Sequence, residues 1–207
     1  MHGLPETFFA RQDESPDEDF YREPRLTTHI DDATIDALTT FYREVLSPSD
    51  RVCDLMSSWI SHLPDDVNYN RVVGLGMNEA ELRRNPRLDE LVVRNLNEDP
   101  HLPWPDGHFD ALLIAVSVQY LTRPFEVFLE IGRVLSPGGR CIVAMSHRLF
   151  PTKAIYAFHV LAPQERCRLV GSYMELAGVF KSIQAFDRSP PNADPLWIVV
   201  GTKSRAE

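Results

Sequence analysis

The sequence predicts an α/β fold, a doubly wound, seven-stranded and mostly parallel sheet with helices on both faces. Apolar runs typical of buried strands alternate along the chain with amphipathic segments typical of helices. The run FDALLIAVS (109–117) is continuously apolar, as expected for a parallel strand buried on both faces. Two further apolar runs lie on either side of the loop RSPPNAD (188–194), which predicts a hairpin at the end of the sheet.

The individual elements follow from the same patterns. Strands are predicted at residues 51–56, 71–77, 90–96, 109–117, 140–146, 179–187 and 195–203. Helices are predicted within residues 28–46, 57–64, 78–86, 124–135 and 163–178. Asp31 or Asp32 is expected to cap the first helix, and SPGG (136–139) is expected to form a tight turn before the fifth strand.

Composition excludes several classes of protein. A net charge of −9 and a pI of about 5.2 disfavour binding to nucleic acid, because acidic surfaces repel phosphates. The three cysteines have no CxxC spacing, so neither a disulfide framework nor a metal site is predicted. No apolar run reaches the roughly 18 residues of a membrane span, and no secretory signal precedes the fold. We therefore expect a cytoplasmic protein without a membrane partner.

The first part of the chain differs in character from the rest. Residues 1–25 are polar and contain proline, yet they carry the aromatic side chains of Phe8, Phe9, Phe20 and Tyr21. Aromatic side chains are costly to leave in water, so residues 1–30 are predicted to form an ordered lid. We divide the chain into an N-terminal helical cover at residues 1–48 and a cofactor-binding domain at residues 49–207.

Two segments carry a resemblance to a known family. LPWPDGHFDALLIAVSVQYL (102–121) and FEVFLEIGRVLSPGGRCIVA (125–144) resemble the third loop, fourth strand, fourth helix and fifth strand of class I S-adenosylmethionine (SAM) methyltransferases, most closely the type 11 group. The resemblance covers about residues 50–203. It implies a Rossmann-like sheet whose last strand is antiparallel, with SAM as the cofactor, bound by four loops at the carboxyl ends of the strands.

The first of those loops departs from the family pattern. The family has D-x-G-x-G-x-G there, whereas this chain has Asp54 followed by Met56, Ser58 and Ile60 at the glycine positions. Asp54 is expected to reach the SAM ammonium group. Ser57 and Ser58 are small, and their hydroxyls suit the SAM carboxylate. Alternatively, Ser58 is only a helix cap.

The resemblance places the other cofactor contacts after the next three strands. They are Met77 and Asn78, Asn95 and Leu96, and Ser117 and Val118. Met77 and Leu96 are expected to lie against the adenine ring. Asn78 and Asn95 stand in for acids that usually bind the ribose hydroxyls and the adenine amino group, although Asn78 is equally well explained as a helix cap.

Methyl transfer from SAM is an in-line displacement, so a general base is needed only when the acceptor arrives protonated. Tyr21, Tyr120 and His147 are the candidate catalytic residues, because they are predicted near the mouth of the cleft. SVQY follows the fourth strand in place of the [DNS]-P-P-[FYW] motif typical of nucleobase and amide methyltransferases, which favours a small-molecule acceptor. The alternative is a non-catalytic domain that binds SAM, its demethylated product or a protein partner. A monomer or homodimer is expected.

Overall fold

The computed structural model describes residues 3–205, so residues 1–2 and 206–207 of the two predicted domain ranges lie outside it. Seven strands form one sheet. They are β1 (Arg51–Leu55), β2 (Arg71–Gly76), β3 (Glu90–Val93), β4 (Phe109–Ala115), β5 (Leu135–Met145), β6 (Phe180–Asp187) and β7 (Trp197–Lys203). The predicted number of strands is confirmed.

The strand order is β3-β2-β1-β4-β5-β7-β6. Strands β1 to β5 pair in parallel, while β7 pairs antiparallel with both β5 and β6. The predicted antiparallel last strand and final hairpin are therefore confirmed. The order reverses between β1 and β4, and in such sheets the crevice at that switch point is the usual ligand site.

Helices precede, connect and follow the parallel strands. They are α1 (Asp17–Tyr21), α2 (Asp32–Val45), α3 (Glu79–Leu82), α4 (Pro124–Val134), α5 (Ala157–Val160) and α6 (Pro163–Leu176). The Asp31 side chain accepts a hydrogen bond from the Thr34 amide at the start of α2, which makes Asp31 the cap. Within residues 3–205, no helix combines the length and apolar character needed to cross a membrane.

Alternating strand residues build a core on each face of the sheet. On one face, α4 and α6 pack against side chains such as Cys53 and Cys141, which are fully buried. On the other face, α2 packs with Leu38 and Phe41 against Val52 and its neighbours. Because α2 shares this core with the sheet, only the residues before it are free to cover the strand ends.

The helix predicted at residues 57–64 is wrong, since this segment contains no helix. The hydroxyls of Ser57 and Ser61 donate to the Asp54 carboxylate, so these side chains hold the backbone in a non-helical course. His62 has φ 53°, in the left-handed region, and Pro64 follows two residues later. The chain thus passes from β1 to β2 without a helix.

The predicted turn SPGG (136–139) lies inside β5, which begins earlier than expected. The pairing with β4 changes register between Phe109 and Ala111, so a local irregularity takes up these residues. Gly138 has φ 83°, a conformation that glycine adopts readily.

Candidate active site

A cleft lies at the carboxyl ends of β1, β2 and β4, beside the switch in strand order. It holds about 1170 Å³ of empty space, part of it open to solvent. Its floor includes Asp54 of β1, Gly76 of β2 and Ala115 of β4. One wall comes from residues that precede α2. From here on, the name N-terminal cover denotes residues 3–31, the described part of the predicted 1–48 segment that lies before α2.

Asp54 lies at the end of β1 and is only 2% exposed. Its Oδ2 atom accepts hydrogen bonds from Ser57 Oγ at 2.6 Å and Ser61 Oγ at 2.7 Å. Burial raises the pKa of Asp54 to about 6, although the two hydroxyls act in the opposite direction. No Lys, Arg or His in the described part of the chain forms an ion pair with it, so the cleft contains a buried acid without a cationic partner.

The glycine-free loop after β1 crosses the end of β2. The Ser57 amide donates to the Leu75 carbonyl at 2.8 Å. A Cβ atom on Gly76 would lie 2.2 Å from the Ser57 carbonyl oxygen, so no side chain fits at that position. The methyltransferases that this chain resembles usually have an acid at the position of Gly76, and the crossing loop explains why that acid is absent here.

The amides of Asn78 and Asn95 contact the N-terminal cover. Asn78 Nδ2 donates to the Tyr21 carbonyl at 2.9 Å, while its Oδ1 caps α3. Asn95 Nδ2 donates to the Glu18 carboxylate at 2.7 Å. Trp59 also contacts the cover, since its indole N–H donates to a backbone carbonyl at 3.2 Å. These side chains fix the cover over the strand ends.

Four aromatic side chains of the cleft lining lie close together: Tyr21, His29, Tyr120 and Phe150. The Phe150 ring stacks on Tyr120 at 5.6 Å between centroids and meets His29 edge-on at 5.2 Å. Phe20 links Phe150 to Tyr21, with centroid distances of 5.3 and 5.0 Å. The cleft therefore has an apolar, ring-lined wall formed jointly by the N-terminal cover and the segments that follow β4 and β5.

A buried lysine anchors the cover from the opposite side. The Lys153 side chain is fully buried, and its Nζ donates to the Ser15 carbonyl at 2.7 Å. The same ammonium lies 3.2 Å from Asp13 Oδ2 and 3.4 Å from Asp17 Oδ1. Asp17 also pairs with Arg11 at 2.6 Å and lines the cleft. Charge pairing thus ties the cover to the loop after β5.

The structure brings most of the predicted site residues to this cleft. Those that line it are Asp54, Met56, Ser57, Ser58, Met77, Asn78, Asn95, Leu96, Ser117, Tyr120 and Tyr21. Val118 does not line it, because its side chain is fully buried in the core beneath. The sequence located the end of the strand, but it could not show which residue there faces the cleft and which faces the core.

His147 also lies outside the cleft lining. Its Nε2 is 3.2 Å from Asp194 Oδ1, and its side chain is half exposed. Asp194 belongs to the loop between β6 and β7. Its backbone amide donates to the Asp31 carboxylate, and its own carboxylate accepts from Arg148. His147 therefore faces the last hairpin, and the geometry gives it no contact with a ligand in the cleft.

Among the cleft-lining residues that the sequence did not predict are Glu81 and His62. Glu81 of α3 is 8% exposed, and its Oε1 accepts from the Arg25 amide at 2.6 Å. It lies just beyond the end of β2 and offers a carboxylate there in place of the missing acid. His62 was assigned to a helix that does not form. A glutamate three residues after a helix cap was the available signal for Glu81.

The tyrosines and histidines of the cleft favour their neutral states. Burial raises the pKa of both Tyr21 and Tyr120, so these phenols remain protonated and act as hydrogen-bond donors or acceptors rather than bases. Burial lowers the pKa of His29 and lowers that of His62 to about 4. Both imidazoles are therefore neutral at pH 7.

Backbone strain is concentrated at the cleft. Four non-glycine residues of the described chain have a positive φ, and Met56, His62 and Val116 among them line the cleft. Val116, at φ 51°, is β-branched, so the left-handed conformation is especially unfavourable. Such strain clusters at functional sites, where the surrounding structure holds it in place.

Three unpaired polar atoms belong to residues that line the cleft. Arg25 Nη1, His62 Nδ1 and Ser117 Oγ are buried and have no hydrogen-bond partner in the structure. All three residues line the cleft, and each comes from a different segment of the chain. Six other buried polar atoms of the described chain, away from the cleft, also lack a partner, so these three atoms are available to a ligand but do not by themselves mark a site. Residues 3–205 contain no cluster of three or more His, Cys, Asp or Glu side chains suited to a metal ion.

Comparison with known proteins agrees with this geometry. A family described as a methyltransferase domain matches residues 57–143. Demethylmenaquinone methyltransferase of Renibacterium salmoninarum is 32% identical over 89 residues, which are 42% of this chain and 36% of that protein. Ubiquinone/menaquinone biosynthesis C-methyltransferase UbiE of Pseudomonas entomophila is 37% identical over 79 residues, covering 35% and 31% of the two chains. The aligned part spans about a third of these curated relatives.

Solved structures share the fold at low identity. An S-adenosylmethionine dependent methyltransferase from Mesorhizobium loti matches with a TM-score of 0.57 and 18% identity, covering 82% of this chain and all of the other. The [4+2]-cyclase SpnF matches with a TM-score of 0.61 and 16% identity, covering 83% and 82%. At these identities the likenesses show the fold alone. By their names, one of these proteins is a methyltransferase and the other is a cyclase.

Proposed function

We propose that this chain is a class I SAM-dependent methyltransferase, which transfers a methyl group from SAM to a small-molecule acceptor. The observation that carries the proposal is Asp54, a buried carboxylate without a cationic partner on the floor of the cleft. A buried acid of this kind is stabilised by a cation. SAM has an ammonium group and supplies a methyl group on a positively charged sulfur.

The residues of the cleft fit the rest of that cofactor. Arg25 has an unpaired Nη1 donor, which suits a carboxylate. Met77 and Leu96 offer an apolar surface for the adenine ring. Glu81 offers a carboxylate oxygen for the ribose hydroxyls, the role that sequence reasoning gave to Asn78. The N-terminal cover excludes water and positions the reacting groups.

The acceptor is proposed to be a small molecule with a planar ring. The ring-lined wall around Phe150 suits such a shape, and the N-terminal cover leaves little access for a macromolecule. The names of the relatives point to quinone rings as one such class. Tyr21 and Tyr120 remain protonated, so we assign them to orienting the acceptor by hydrogen bonds, in place of proton removal.

Calorimetric titration with SAM and with S-adenosylhomocysteine tests this proposal. We expect micromolar binding of both ligands, weakened at least tenfold by Asp54→Ala. Asp65→Ala, at an exposed position of the loop before β2, is the matched control and should leave the affinity unchanged. No binding of either ligand up to millimolar concentration would overturn the proposal.

A second function is favoured by one observation. The connection after β1 has neither glycine nor helix, so the usual cradle for the methionine part of SAM is absent. A non-catalytic domain that only binds SAM or its product is consistent with this loop. Release of S-adenosylhomocysteine during incubation with SAM and a panel of hydroquinones distinguishes the two: turnover supports the enzyme, and tight binding without turnover supports the binding domain.

A further inference from the structure

His62 is held firmly in a strained conformation. Its φ of 53° lies in the left-handed region, which is unfavourable for a residue with a side chain. The Thr39 hydroxyl of α2 donates to the His62 carbonyl at 2.9 Å. On either side, Ser61 is bonded to Asp54 and Leu63 is buried in the core. The surrounding contacts therefore fix the direction in which the imidazole leaves the backbone, which is toward the cleft lining.

The imidazole itself has no internal role that would explain this strain. His62 Nδ1 is buried and has no hydrogen-bond partner in the structure, which is unfavourable for a polar group. Burial keeps the ring neutral, and the nearby His29 contributes in the same direction. A neutral imidazole always has one nitrogen that accepts a hydrogen bond.

The surroundings of His62 define what can approach it. His29 lies near enough to His62 to lower the pKa of that side chain, and the His29 ring meets the Phe150 ring edge-on. Ser117 Oγ, at the end of β4, is a second unpaired polar atom of the same cleft. Thus hydrogen-bonding groups lie next to an aromatic wall, an arrangement that is complementary to a ring carrying a hydroxyl group.

We propose that His62 accepts the hydroxyl hydrogen of the methyl acceptor, and that this acceptor is an aromatic hydroxy compound. This inference rests on the proposed methyltransferase function. The acceptor oxygen uses an electron pair to form a bond to the methyl carbon, while the carbon–sulfur bond breaks and its electron pair stays on sulfur. The acceptor O–H bond breaks, and its proton passes to the imidazole and then to water.

A weakly basic imidazole is sufficient for this step. As the oxygen gains its bond to carbon, its proton becomes strongly acidic, so transfer to His62 is downhill at that stage. The neutral ring also avoids placing a second positive charge next to the sulfonium group, which a protonated histidine would do. Both points favour the environment in which the structure holds His62.

The test compares hydroxy compounds with their methyl ethers. Catechol and guaiacol, and 1-naphthol and 1-methoxynaphthalene, are titrated by calorimetry into protein saturated with S-adenosylhomocysteine. The wild type should bind the more hydroxylated member of each pair at least tenfold more tightly. His62→Leu should abolish this preference, and His62→Gln should retain much of it because the amide oxygen still accepts a hydrogen bond. His159→Leu is the matched control, because His159 is an exposed residue of α5 outside the cleft.

The possible outcomes separate the two proposals. If the wild type does not bind S-adenosylhomocysteine, the proposed function fails and this inference fails with it. The role of His62 alone is overturned if the wild type binds that ligand but no hydroxy probe. It is also overturned if the preference for the hydroxylated probe survives in a folded His62→Leu, or if His62→Gln loses that preference as fully as His62→Leu. A loss of S-adenosylhomocysteine affinity in both His62 variants would likewise overturn it, because His62 would then support the cofactor site.

Discussion

Replacing Asp54 with asparagine is expected to make the ligand-free protein more stable at neutral pH. Burial raises the Asp54 pKa from 3.8 to about 6, so the folded chain favours the neutral acid. One pKa unit corresponds to about 1.4 kcal/mol, which makes the penalty for the ionised carboxylate about 3 kcal/mol at pH 7.5. Asparagine carries no charge, and its Oδ1 can still accept from Ser57 and Ser61.

The sign of the pH dependence follows from the raised pKa. Below pH 3.8 Asp54 is neutral in the folded and unfolded chains, so its favourable contribution to the fold is fully present. That contribution is lost as the pH rises through about 6. The advantage of Asp54→Asn should therefore shrink from about 3 kcal/mol at pH 7.5 to about 1 kcal/mol at pH 4.5.

Urea unfolding of both proteins at the two pH values measures this difference directly. Asp65→Asn, at an exposed position, is the control and should change the free energy of unfolding by less than about 0.5 kcal/mol. Comparison at equal pH cancels the contributions of all other titrating groups. An asparagine variant that is less stable than the wild type at pH 7.5, or a difference that does not change with pH, would refute the reasoning.

Three further outcomes test the loop and the cover. Gly76→Ala should lower both stability and SAM affinity, because its Cβ would lie 2.2 Å from a backbone oxygen. Gly171→Ala is the control and should lower neither, because its Cβ would lie 3.7 Å from its nearest neighbour. Melting curves measure the stability of both variants, and calorimetry measures their SAM affinity. Deletion of residues 1–24 should weaken SAM binding at least tenfold, and unchanged affinity would contradict a role as a lid. Lys153→Met should destabilise the fold by about 3 kcal/mol and speed hydrogen exchange in the N-terminal cover, while normal exchange there would exclude the anchor.

The sheet could be predicted because its signals are local. Apolar runs such as 109–117 identify buried strands by themselves, and the loop 188–194 identifies the final hairpin. The resemblance implied that the last strand is antiparallel. The placement of strand ends then brought Asp54 and Ser117 to one cleft. These inferences needed only residues close together in the chain.

What could not be predicted depends on contacts between distant segments. The helix expected at 57–64 fails because Ser57 and Ser61 bond to Asp54, a choice that the local pattern does not reveal. For Asn78 the sequence left ribose binding and helix capping open; its Oδ1 caps α3, and its amide donates to the backbone of Tyr21, which lies 57 positions earlier. His62 was hidden for the same reason, since only the folded loop shows it in the cleft.

The glycine-free loop raises the question of whether this site has decayed. A site without a ligand would gain stability by losing Asp54, since a neutral residue removes a penalty of about 3 kcal/mol. The chain instead keeps the carboxylate and surrounds it with two hydroxyl donors. It also keeps the strained backbone of Met56 and Val116 beside it. Costs of this kind, gathered at one cleft, are expected where a ligand repays them on binding. The serine loop is therefore best explained as a working replacement for the glycine loop, with stability given up for a cation site.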